Sequence, residues 1–116
     1  IQYALFYPDR YPVPGNKRLD LFEMAKLTFE KPDTETFTGL KLAFEAANAG
    51  GTMPTVFNAA NEKAVSLFLD DQIRFLQIPE VIGAAMERHR TVENPDVAQI
   101  LEAEKEAHES VVRYAK

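Results

Sequence analysis

The run Asn58-Ala59-Ala60-Asn61-Glu62 is the most chemically unusual stretch of this chain. On a helix, Asn58, Asn61 and Glu62 stand at i, i+3 and i+4 and form one polar face. Asn disfavours helix interiors because its amide competes for backbone hydrogen bonds, so two at this spacing call for a reason. Two amides and a carboxylate can contact a polar substrate or a metal ion. They can also satisfy backbone N–H and C=O groups of a neighbouring irregular segment, and this structural role is the favoured reading. Glu104 and His108 stand at i, i+4 on a second predicted helix, as half of a metal site or an acid–base pair would. A carboxylate-bridged metal site in a helical bundle draws Glu and Glu-x-x-His pairs from several helices, and that spacing is missing here. An intrahelical ion pair is the simpler reading. His89 falls near a predicted helix C-terminus, where a cation suits the negative end of the helix dipole. The chain has no Cys, and its five glycines show neither GxGxxG nor P-loop spacing. The expectation for this chain is therefore no catalytic residue, no metal ligand and no cofactor-binding residue.

The elements that carry these residues divide the chain into a connecting arm over 1–36 and a helical bundle over 37–116. Four of the seven prolines, Pro8, Pro12, Pro14 and Pro32, lie in the arm, and proline is rare inside helices. Residues 1–7 read as a short helix or a buried strand. Pro14-Gly15 suits the centre of a type II turn, because Pro presets φ and Gly accepts a positive one. Leu19 to Ala25 reads as a short helix, and Lys26-Leu27-Thr28-Phe29-Glu30 alternates as a half-buried strand does.

Beyond the arm the apolar period becomes helical. Leu40, Ala43, Phe44 and Ala47 mark one helix face, ended by Gly50-Gly51. Thr52 is placed to cap a second helix with Pro54 in its first turn and Phe57, Ala60, Ala64, Leu67 and Phe68 inward. Asp70-Asp71 closes that helix, and Ile73-Arg74-Phe75 reads as a short extended connector. Pro79 opens a third helix with Val81, Ile82, Ala85, Met86 and His89 on its stripe. Asn94-Pro95-Asp96 reads as cap, first helical residue and first-turn acid of a fourth. Its inward set is Val97, Ile100, Leu101, Val111, Val112 and Ala115. Four helices with short connections predict a mainly α fold, a four-helix bundle preceded by an extended, proline-containing arm.

Composition bounds the function. A chain of 116 residues has room for one core. A net charge of −5 argues against nucleic acid, whose phosphates want a basic surface. It also argues against reading Tyr3, Phe6, Tyr7 and Tyr11 as a base-stacking platform; they suit a core or a subunit interface. No apolar run approaches the roughly 18 residues of a membrane span.

Several segments together carry a resemblance. Ile1-Gln2-Tyr3-Ala4-Leu5-Phe6-Tyr7-Pro8, Leu19-Asp20-Leu21 and Lys26-Leu27-Thr28-Phe29-Glu30-Lys31-Pro32-Asp33 are followed by Phe57-Asn58-Ala59-Ala60-Asn61-Glu62-Lys63-Ala64-Val65 and Ile73-Arg74-Phe75. In this order they resemble the C-terminal region of the 1-deoxy-D-xylulose 5-phosphate reductoisomerase family. The resemblance implies a longer, three-part homodimeric enzyme of the non-mevalonate isoprenoid pathway. It also implies NADPH, and Mg²⁺ or Mn²⁺ held by an Asp-Ser-Glu motif and a further Glu in the central part. None of those motifs occurs in this chain, so no site residue carries over. The chain is then expected to support the missing N-terminal and central parts, in the cytoplasm or a plastid. The competing reading is an independent helical module that binds a protein partner through the aromatic arm. A third, a small enzyme using Glu62, Glu104 or His108, rests only on their being ionisable.

Overall fold

The computed structural model describes residues 1–114, and the Ala115 expected inward lies outside them. The described residues are mainly helical and form two compact units, 1–31 and 32–116.

The first unit holds α1 (Gln2–Phe6) and α2 (Leu21–Met24). Arg10 places its guanidinium 4.0 Å from the Tyr3 ring centre, and Phe6 meets Tyr11 edge-on at 5.2 Å. The Gln2 amide donates to the Tyr11 carbonyl at 3.0 Å. Pro14-Gly15 forms the expected turn, with Gly15 at φ +82° and Asn16 N–H on the Val13 carbonyl. Asp20 caps α2, accepting from the amides of Phe22 and Glu23. Residues 26–30 are not a strand: no β-ladder partner exists among the described residues, and alternation alone cannot satisfy the backbone. Phe29 is exposed there.

The second unit is built from α3 (Thr38–Ala49), α4 (Met53–Leu69), α5 (Gln77–Arg88) and α6 (Val97–Tyr114). Helices α4 and α5 pack on each other and on both α3 and α6, so α4 and α5 form the middle of the bundle. The core joins Val56, Ala59, Ala60, Ala64 and Leu67 of α4 to Val81, Ile82, Ala85 and Met86 of α5, with Ala103, Ala107 and Val111 from α6. Alanines on the facing sides of α4 and α6 let the two helices approach closely, and this decides the α6 register. Its buried stripe is Ala103, Ala107, Ser110 and Val111, whereas Val97 and Leu101, expected inward, are exposed.

Helix α3 is rotated in the same sense. Ala46 is buried and Leu42 packs on the core, whereas Leu40 and Phe44 face outward. The start of α6 is also shifted from the expected Asn94–Pro95 pair. Asp96 is the cap: its carboxylate accepts from Gln99 N–H at 2.8 Å, and the Gln99 side chain accepts from Asp96 N–H at 2.9 Å. That reciprocal capping box satisfies two amides that the earlier start would leave free. Helix α4 ends in a Schellman motif, with Gln72 N–H on the Leu67 carbonyl and Asp71 N–H on that of Phe68, and Asp71 at φ +56°. Residues 74–78 are a turn into α5 rather than an extended connector, held by Gln77 N–H on Arg74 C=O and Ile78 N–H on Phe75 C=O.

Candidate functional site

The polar residues of α4 divide between two grooves. Asn58 and Glu62 are exposed, and the Asn58 amide donates to the Glu62 carboxylate at 3.2 Å. Together with Pro54, Thr55 and Glu104 of α6 they line an open groove of about 430 Å³. Asn61, one α-helical turn from Asn58 but on the other flank, lines a separate hollow of about 240 Å³. Its neighbours there are Phe37 and Leu40, Phe57, and Phe75, Leu76 and Ile82. Ala59 and Ala60, fully buried between the polar residues, hold this stretch of α4 against the core.

The expected Glu104–His108 ion pair does not form. Glu104 turns toward the α4 groove, and His108 lines a different hollow with Lys63, Glu109, Val112 and Arg113. The ion pair on this helix is instead the exposed Lys105–Glu102 contact at 3.6 Å. Among the described residues, no three His, Asp or Glu side chains come together as a metal-holding group.

A buried polar junction sits at the α3–α4 corner. Thr52 is fully buried and precedes α4, but its hydroxyl does not cap that helix. It accepts from Val92 N–H at 3.0 Å and lies 2.7 Å from His89 Nε2. A hydroxyl has one proton and two lone pairs, so Thr52 serves the Val92 amide and the His89 ring together. The Thr52 N–H returns to the Val92 carbonyl at 3.0 Å. His89 is the C-cap of α5, the place near a helix C-terminus read from the sequence, and its bond to Thr52 was not visible there. Thr52 and His89 are 37 residues apart, and no local pattern joins them. The Gly50-Gly51 pair was the available signal, since adjacent glycines mark close backbone approach as well as helix ends.

The same corner tests a nucleotide cradle. A phosphate-binding loop needs open space over glycine amides. The space over Gly51 is filled by backbone: a Cβ there would lie 2.2 Å from the Val92 carbonyl oxygen. Gly51 therefore offers no open amide cradle for a phosphate.

Asp33 has a pKa lowered by a local cause. The Thr36 hydroxyl, then the Thr36 N–H, stabilise its charged form and hold its carboxyl below the usual carboxylate range, with a smaller contribution from Glu35 N–H.

Comparison with known proteins gives a single answer. The family model described as DXP reductoisomerase C-terminal domain matches residues 1–110. The 1-deoxy-D-xylulose 5-phosphate reductoisomerase of Lachnospira eligens is 56% identical over 90% of this chain and 27% of its own length. That of Bacillus subtilis is 52% identical over 91% of this chain and 28% of its own length. Among solved structures, the Zymomonas mobilis reductoisomerase in complex with NADPH superposes with a TM-score of 0.87 at 32% identity, covering 98% of this chain and 30% of that one. The chain spans less than a third of the relatives it matches, and it belongs to the DXP reductoisomerase C-terminal domain family.

Proposed function

We propose that this chain works as the C-terminal supporting domain of an NADPH-dependent 1-deoxy-D-xylulose 5-phosphate reductoisomerase and is not catalytic alone. The whole enzyme isomerises and reduces its substrate to 2-C-methyl-D-erythritol 4-phosphate, as a homodimer in the cytoplasm, with Mg²⁺ or Mn²⁺ held by its central part. The observation that carries this reading is the match of nearly the entire chain, arm and bundle alike, to under a third of a reductoisomerase. Hydride from NADPH and metal-bound substrate belong to residues outside this chain. The chain's own contribution is position. Residues 1–36 connect, residues 37–116 buttress, and Asn58 with Glu62 on one flank of α4 and Asn61 on the other offer polar groups to neighbouring backbone. A displacement of about 1 Å at a reacting group can cost about 10²-fold in rate, so support from a distance is a substantial catalytic term.

The test is deletion of residues 37–116 from the full-length enzyme, read by substrate-dependent NADPH oxidation and by thermal melting. Loss of both is expected. Full activity with an unchanged melting temperature refutes the supporting role. Turnover by residues 1–116 alone refutes the non-catalytic assignment.

A further inference from the structure

The hollow beside Asn61 presents a contiguous apolar surface around a polar side chain. Its floor is Phe57, Ile78 and the buried Ile82. Its walls are Phe37 and Leu40 at the start of α3 and Phe75 and Leu76 from the α4–α5 turn. Phe44 extends the same stripe one turn along α3. Phe37, Phe44, Phe75 and Leu76 each keep 59–69% of their surface exposed. Single exposed apolar residues are ordinary, but a joined set of this kind marks a surface that another segment covers.

The polar group narrows what that segment is. An Asn amide offers N–H donors and a carbonyl acceptor, the complement of one peptide unit. Thr36 and Thr38 add hydroxyls beside the hollow. An apolar wall with one amide suits an extended strand of polypeptide whose side chains enter the hollow and whose backbone needs one donor–acceptor partner. Charged or phosphorylated ligands find no cation among the lining residues. The source of the strand follows from length. The matched part is the C-terminal domain of its family and only 27–30% of the relatives, so most of the polypeptide lies ahead of it.

We propose that this hollow receives an extended apolar segment of the polypeptide preceding residue 1 in the full-length enzyme, with Asn61 bonding that segment's backbone. The proposal rests on the reading of the chain as the end of a longer enzyme and adds the surface through which the two parts lock.

The experiment uses the full-length enzyme with a photoreactive benzophenone side chain in place of Phe75 and, separately, of Phe44. Irradiation, digestion and mass spectrometry identify the attached peptide; mixing isotope-labelled and unlabelled enzyme separates attachment within a polypeptide from attachment between copies. Attachment from both positions to a peptide ahead of residue 1 in the same polypeptide is expected. Attachment to residues 1–31, to a second copy, to a foreign protein, or to nothing overturns the proposal. In unlabelled enzyme, Asn61→Leu keeps the shape and removes the amide. Hydrogen exchange in the identified peptide is expected to accelerate about tenfold, the weight of one or two lost hydrogen bonds, and unchanged exchange overturns the role of Asn61. Reductoisomerase activity measured on the same preparations keeps the two readings apart. Correct attachment without activity refutes the proposed function alone, and activity with attachment elsewhere refutes the docking surface alone.

Discussion

Replacing Gly51 by Ala adds one carbon atom at the point where two connections of the bundle touch. The new Cβ would stand 2.2 Å from the Val92 oxygen, 2.9 Å from its carbonyl carbon and 3.0 Å from Glu93 Cα, all of them backbone atoms. No side chain can rotate away, so the 89–94 connection must retreat until the contact reaches the 3.4 Å at which ordinary packing begins. That retreat breaks the Thr52 N–H bond to the Val92 carbonyl and the Val92 N–H bond to the Thr52 hydroxyl. Each contributes about 1 kcal/mol. Gly51 also sits at φ +54°, where an L side chain costs a further 1–2 kcal/mol, roughly. The expected loss is about 3–4 kcal/mol, a large fraction of the roughly 5–15 kcal/mol that holds a domain folded. Urea unfolding followed by far-ultraviolet circular dichroism measures it. Two other Gly→Ala changes serve as internal controls. In α3, a Cβ on Gly39 meets nothing within 4 Å; in α5, one on Gly83 meets only Leu42 methyls at 3.8 and 3.9 Å. Both should stabilise by about 0.5–1 kcal/mol, because Ala loses less backbone freedom in a helix. A Gly51→Ala protein within about 1 kcal/mol of the parent, or three substitutions of the same sign, would refute the reasoning.

Three further outcomes follow from the same geometry. Thr52→Val keeps the buried shape but strands Val92 N–H and His89 Nε2, and should cost about 1–3 kcal/mol in urea unfolding, with Thr52→Ser costing much less. Asp71→Gly should stabilise by about 1 kcal/mol on the same measure, since Asp71 holds the left-handed position of the Schellman motif at φ +56°. The Asp33 carboxyl, followed by NMR, should titrate below an ordinary Asp, and Thr36→Val should move it back up. Because the folded value is the depressed one, the Asp33–Thr36 turn stabilises the fold above the unfolded-chain pKa, and this contribution is lost as pH falls through the folded value.

The existence of the four bundle helices was legible in the sequence because a helical apolar period ran between proline, glycine and acidic breaks. Gly50-Gly51 ended α3, and Pro79 fell in the first turn of α5. Helix rotation was less legible. Of the α6 stripe read from the sequence, Val111 is buried as expected, but Val97 and Leu101 are exposed, and packing against the alanines of α4 selected Ala103 and Ala107. Periodicity weighs hydrophobicity, whereas helix approach weighs size. The Asp96–Gln99 box lay in plain view, but Asn94-Pro95 offered a competing start, and only backbone geometry separates the two. The Thr52–His89 junction was invisible for a different reason: it joins connections 37 residues apart, and a single sequence carries no signal of that separation.

The α3 discrepancy bears on function. Leu40, Ala43, Phe44 and Ala47 are the stripe read from the sequence; the structure packs α3 through Leu42 and Ala46, with Ala43 half-buried between the two. The two are displaced by about one residue of rotation, near 100°. A helix that only covers a core needs one such stripe, with polar residues opposite. In α3 one side packs on the bundle through Leu42 and Ala46, and the other leaves Leu40 and Phe44 exposed. The stripe expected to face the bundle is the one left exposed at Leu40 and Phe44, and the bundle buries the one through Leu42 and Ala46 instead. The difference between them falls on Leu40 and Phe44, beside Asn61. On the docking proposed above, this is the part of α3 that the preceding segment covers.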